Sequence, residues 1–289
     1  MKIAIVQGFI EFTEPFIHEN YSMSAKEFYS PFSKNTKAWA KRMGYDYYFF
    51  EDQKLWPKKL RDNPDNFLNG YPSNTQLNTY KYWWLKSVIP NYDLVCWIDS
   101  DVGILGNPDI LSIIDSNKFN VGTRRATYEY ESFSCEIPNA WFSCMNSERL
   151  THFTDWVESV LTDKSAQSDL LITLRTIVGC IHDEHLLACY LDEGNTHHVN
   201  LIDLPNDTLK NAITDEEVVE SLKQNVMIHF SGSNKLRMGK IFKTYVTYMK
   251  YLHVSGKRDP KIRHTIAKYT LKELDKLYNT TTNKVKELL

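Results

Sequence analysis

The chain has 289 residues, enough for one large α/β domain with or without an appendage, and for a substantial buried core. Its formal net charge of -2 supplies no global basic field, which sets nucleic acid aside as a partner. The five cysteines (Cys96, Cys135, Cys144, Cys180, Cys189) are odd in number and lack C-x-x-C spacing, which argues against a disulfide framework or a zinc site and for free thiols in a reducing compartment.

In chain order, Ile3 to Gln7 reads as a first strand, and the start at Met1 is too soon broken for a signal peptide. Ser33 is a candidate N-cap for a helix to Met43, closed by Gly44, and Tyr45 to Glu51 reads as a second strand. A polar loop with Pro57, Pro64 and Pro72 follows, then a helix from Thr75 to Val88 closed by Pro90. The apolar run Leu94-Val95-Cys96-Trp97-Ile98 is a buried strand that ends in Asp99-Ser100-Asp101, with a turn at Gly103, Gly106 and Pro108. Short strands are expected at Phe119–Gly122 and Trp141–Met145, helices at Ser147–Leu161 and His182–Leu191, and strands at His198–Asp203 and Val226–Phe230. Strands alternating with helices predict an α/β fold with a mostly parallel sheet. From residue 256 the composition shifts. Asp259-Pro260 and the helical spacing of Ile262, Ile266, Tyr269, Leu271, Leu274 and Leu277 predict a C-terminal helical appendage, 256–289, after a domain spanning 1–255. That appendage is either packed on the domain's flank or a contact surface for a membrane or another subunit. No apolar run reaches the ~20 residues of a membrane span, so the expectation is a soluble, cytoplasmic chain in which the sequons at Asn20, Asn206 and Asn279 are silent.

The chemistry concentrates at two places. Asp99 and Asp101 share one side of an extended chain at the carboxyl end of a buried strand, where open α/β sheets bind ligands. Paired carboxylates suit Mg²⁺ or Mn²⁺, ions that keep open positions for substrate phosphates. Far downstream, Met227-Ile228-His229-Phe230-Ser231-Gly232-Ser233-Asn234-Lys235 is a strand followed by a Ser-Gly turn and a lysine. His229 is a candidate third metal ligand, which favours Mn²⁺ over Mg²⁺. Gly232 lets the backbone approach a diphosphate, and Lys235 could neutralise charge on a leaving phosphate. Each residue also has a structural alternative: turn-capping acids at Asp99 and Asp101, a polar strand end at His229, and a surface lysine at Lys235.

With both segments in order, the chain resembles the GT-A class of nucleotide-sugar-dependent glycosyltransferases, closest to glycosyltransferase family 34 (galactosyl, xylosyl and mannosyl transferases) and more loosely family 8. The resemblance covers roughly residues 1 to 245. It rests on Asn35 through Gly44-Tyr45-Asp46, on Lys81 with Trp84 and Pro90-Asn91-Tyr92, on Trp97-Ile98-Asp99-Ser100-Asp101, on Asn139-Ala140-Trp141-Phe142, and on His182-Asp183-Glu184-His185-Leu186-Leu187. Two positions depart from the family pattern: Trp141 stands where a glycine is expected and Glu184 where a glutamine is expected.

The resemblance implies a GT-A, Rossmann-like fold, a nucleotide-sugar donor with UDP ahead of GDP, a glycan acceptor and retention of anomeric configuration. It implies metal ligation by Asp99, Asp101 and His229, and nucleotide-sugar contacts from Gln7, Gly8, Lys81, Ser100, Asn139, Gly232 and Lys235. Asp183 and Glu184 would be the catalytic pair, Glu184 as the carboxylate available for a two-step route and Asp183 orienting donor or acceptor. Helix capping is the structural alternative for both acids, and a solvated side chain for Lys81. Two other classes remain open: a haloacid-dehalogenase-type phosphatase with Asp99 as nucleophile, and a degenerate transferase acting as a scaffold.

Overall fold

The computed structural model describes residues 1–9, 16–18, 21–51, 55, 57, 60, 72–130, 133–178, 181–203, 208–209, 227–230, 235–257, 259, 266 and 269–289. Its strands are β1 (Ile3–Gly8), β2 (Phe16–His18), β3 (Tyr21–Met23), β4 (Asp46–Phe50), β5 (Leu94–Ile98), β6 (Val102–Ile104), β7 (Phe119–Tyr130), β8 (Phe133–Met145), β9 (Val199–Asp203), β10 (Thr208–Leu209) and β11 (Met227–Phe230). The chain packs as two compact units. The first comprises Met1–Ile10, Ala40–Asp99 and Asp109–Leu204, and the second Glu11–Trp39, Ser100–Pro108 and Pro205–Leu289.

The first unit is built on a six-stranded sheet in the order β4-β1-β5-β8-β7-β9. The β4/β1, β1/β5 and β7/β9 pairings are parallel, and β5/β8 and β8/β7 antiparallel. This is the expected α/β class: a mostly parallel sheet flanked by helices. β1 and β5 are buried along their whole length, which is why both read as unbroken apolar runs rather than alternating ones. The helices Pro72–Val88, Ser147–Thr162 and Asp183–Asp192 pack on this sheet. Tyr82, Trp83, Trp84, Leu85, Phe153, Val157 and Leu186 from these helices join Val6, Val95 and Trp97 from the strands in one core.

The long pair β7/β8 exceeds the two short strands expected. The inner part, Phe119–Thr123, is paired with β9, whereas Arg124–Tyr130 pairs, among the described residues, with its hairpin partner Phe133–Asn139. Pro138 stands opposite Arg125, and a proline without an N–H reads as a strand breaker in the sequence.

In the second unit, β6, β11 and β10 form a small three-stranded sheet in the order β10-β11-β6. β11 runs antiparallel to β6, with Met227, Ile228 and His229 opposite Ile104, Gly103 and Val102. The helix Ala25–Met43, whose Ala25–Trp39 part lies in this unit, starts eight residues before the expected Ser33 N-cap and runs through Pro31. Ser24 is its actual cap: Glu27 N donates to Ser24 Oγ at 3.2 Å, and Glu27 Oε2 accepts from Ser24 N at 3.0 Å. Asn35 on this helix fastens the small sheet, accepting from Ile104 N at 2.7 Å and donating to Ile104 O at 2.9 Å.

The helix Leu271–Leu288 packs along the helix Lys235–Ser255, burying Leu271, Leu274, Thr281 and Val285. Lys240 pairs with Asp275 at 2.7 Å, and Lys243 lies 4.1 Å from the Tyr278 ring centroid. Thr270 and Glu273 form a capping box at its start, while most of the expected onset around Asp259-Pro260 lies outside the described residues. Among the described residues, no helix is long and apolar enough to cross a membrane.

Candidate metal and substrate site

Asp99 directly follows Ile98, the last residue of β5. Trp97 and Asp99 lie on one side of the strand because side chains alternate along it, and Trp97 Nε1 donates to Asp99 Oδ1 at 2.5 Å. The backbone is held as firmly. Asp99 N donates to Trp141 O at 2.9 Å, and the buried Gln7 amide donates from Nε2 to Asp99 O at 3.0 Å. Gln7 Oε1 accepts in turn from Tyr47 Oη at 3.0 Å. Gln7 therefore ties the ends of β1 and β5 together. Trp141, the departure from the family pattern, is 1% exposed, so its indole is core.

Gly8 sits beneath aromatic packing. A Cβ there would stand 2.5 Å from Phe50 O and 2.6 Å from a Trp84 ring carbon, so only glycine fits. Trp84 stacks between Phe50 and Trp97, with ring centroids 5.8 and 5.9 Å away.

Lys81 and Asp183 form an ion pair within the same unit, the lysine buried and the carboxylate partly so, their side chains 6% and 17% exposed. Burial works against the lysine charge, but the Asp183 carboxylate, with smaller contributions from Tyr82 and Asp99, more than offsets it and holds the Lys81 pKa above the ordinary lysine value. Tyr82 is pushed up, chiefly by burial. Asp183 and Glu184 occupy the first turn of the helix Asp183–Asp192, where the unsatisfied amides and the helix dipole favour acids. The His182 backbone N–H, at the N-cap, donates to His185 Nδ1 at 3.2 Å, and burial lowers the His182 pKa.

In the second unit, Asp101 and His229 meet. Asp101 Oδ1 lies 3.2 Å from His229 Nε2, and both residues are 5% exposed. His229 is opposite Val102, so the antiparallel pair brings it next to the turn that ends in Asp101, and there the two side chains meet. Ser100, between the acids in the chain, is also buried.

Two expected residues have less to report. Asn139 lies in β8 opposite Arg124, with its side chain outside the described set, and Lys235 opens the helix Lys235–Ser255 with its side chain likewise outside it. Gly232 lies outside the described residues altogether. Trp97 is the site residue the sequence does not single out, although its i, i+2 spacing from Asp99 in a strand is the signal that marks it.

No family model matches the chain, and no curated protein does. Among solved structures, a glycosyltransferase involved in the glycosylation of the major capsid of PBCV-1 is similar at 13% identity and a TM-score of 0.49, over 84% of this chain and 99% of that one. A likeness of that size carries no argument for a shared activity, so function rests on the residues themselves.

Proposed function

We propose that this chain is a metal-dependent glycosyltransferase moving a hexose or pentose from a nucleotide diphosphate sugar to a glycan acceptor. The observation that carries this reading is the buried Asp101–His229 pair, whose aspartate is separated from Asp99 by one residue, Ser100. Asp99, Asp101 and His229 each offer one donor atom, two carboxylate oxygens and an imidazole nitrogen. That set suits Mn²⁺ better than Mg²⁺, which takes almost only oxygen. When bound, such an ion supplies Lewis acidity toward the diphosphate of a nucleotide-sugar donor, with UDP ahead of GDP.

The protein groups then divide the remaining work. Lys81 holds the Asp183 side chain at its helix start, so that Asp183 can accept from a sugar hydroxyl and orient it. Glu184, beside it in the same first turn, is the carboxylate available to attack the anomeric carbon if retention proceeds in two steps. In a one-step retaining reaction the leaving phosphate oxygen takes the acceptor proton, and Glu184 contributes only its charge. Lys235 and the amides around Gly232 would add positive potential near the leaving group.

The test is a thermal-shift panel of UDP, GDP, CMP and several nucleotide sugars, with and without Mn²⁺, on wild type and Asp101→Ala. A ligand at 100 times its Kd stabilises the folded state by about 2.7 kcal/mol, which moves the melting temperature measurably. A manganese-dependent shift with one nucleotide class, absent in Asp101→Ala, is the expected result. No shift with any nucleotide sinks the transferase reading.

A further inference from the structure

We propose that Trp97 is a positioning residue for the metal carboxylate Asp99, an inference that rests on the metal reading above and extends it to the groups behind the ligands. Trp97 is 5% exposed and stacked on Trp84, which by itself describes a core aromatic. Its indole nitrogen does something core packing does not require: it donates to Asp99 Oδ1. An indole N–H is a donor only, and a carboxylate has about four acceptor sites, so this bond fixes the carboxylate's rotation while leaving acceptor capacity for a cation.

The indole is itself held from several sides. Trp84 covers one face, Phe50 stacks on Trp84, and the Lys81 ammonium lies 6.0 Å from the Trp97 ring centroid. Lys81 is anchored by Asp183. A continuous set of contacts, Asp183 to Lys81 to Trp97 to Asp99, thus joins the helix start carrying the candidate catalytic acids to the end of β5. Gly8 belongs to the same support, since any side chain there would displace Trp84. Hydrogen-bond partners behind a metal ligand orient it and tune its basicity, and their loss costs roughly 10- to 100-fold in metal affinity.

The experiment measures Mn²⁺ affinity by electron paramagnetic resonance of the free ion, alongside urea unfolding without metal, for wild type, Trp97→Phe and Trp84→Phe. Trp97→Phe keeps an aromatic ring in the stack and removes only the N–H donor and the extra ring. The expected result is a metal-free stability loss similar to that of Trp84→Phe, since both shrink a buried indole, with Mn²⁺ binding weakened roughly 10- to 100-fold. Trp84→Phe, a change of the same size in the same stack, should bind Mn²⁺ like wild type. Unchanged affinity in Trp97→Phe overturns the positioning role and leaves the metal reading intact. Equal weakening in both variants also overturns it, because the loss then comes from the stack. Failure of the wild type to bind Mn²⁺ removes the metal reading instead.

Discussion

The strands β5 and β11 each carry a candidate metal ligand, and they hold it by different means. β5 lies inside a six-stranded sheet, buried at every residue, with β1 and β8 on either side. Asp99 at its end is fixed by bonds to its side chain, its N–H and its carbonyl. Among the described residues, β11 pairs with the three residues of β6 and the two of β10. His229 pairs with Asp101, which lies in the turn just before β6. A long-range network orients one candidate ligand, and a strand pair together with a turn joins the other two.

The largest effect is expected where the first of these arrangements is broken. Replacing Lys81 by Met leaves the partly buried Asp183 carboxylate without its cation, which costs about 3 kcal/mol of stability in urea unfolding, the low end for a buried pair. Lys81→Met combined with Asp183→Leu should recover most of it, since the uncompensated charge is then gone. A loss under about 1 kcal/mol in the single variant would mean that the pair contributes no more than an exposed one.

A smaller effect is expected in the small sheet. A Cβ on Gly103 would stand 2.3 Å from a Phe242 ring carbon, and Phe242 is fully buried and stacked on Phe32 at 4.6 Å. Gly103→Ala should therefore cost roughly 1 to 3 kcal/mol through overpacking. Hydrogen exchange would sharpen the contrast: amides of β11 should lose protection while those of β5 keep theirs. Equal loss in both strands would show that the two sheets do not open separately.

The elements legible in the sequence are those whose own residues decide them. β1 and β5 appear as apolar runs because both of their faces are buried, and the helices Ser147–Thr162 and Asp183–Asp192 are found to within a residue or so from their first-turn residues and apolar spacing. β11 is anticipated as Val226–Phe230 and observed as Met227–Phe230. Less legible are elements that depend on distant partners. The helix Ala25–Met43 tolerates Pro31 in its second turn, and a proline there reads as a stop. The outer part of β7/β8 lacks apolar alternation, and the helices Asp169–Val178 and Lys235–Ser255 carry no start signal strong enough to single them out.

At the site, the candidate ligand trio is suggested by residue type and strand ends, and the Asp101–His229 contact depends on the β6/β11 pairing together with the turn before β6, which a sequence alone does not contain. The supporting roles are less visible. Gln7 and Gly8 stand out as the end of a first strand, yet their contacts are with Asp99, Tyr47, Phe50 and Trp84, which only the folded sheet brings near.

The most direct test of the account is a Mn²⁺ titration of wild type and Asp101→Ala, with free ion read by electron paramagnetic resonance and folding checked by circular dichroism. The account predicts one tight site per chain in the wild type and its loss in a folded Asp101→Ala. A wild type that binds no Mn²⁺, or an Asp101→Ala that binds it equally well, would contradict it.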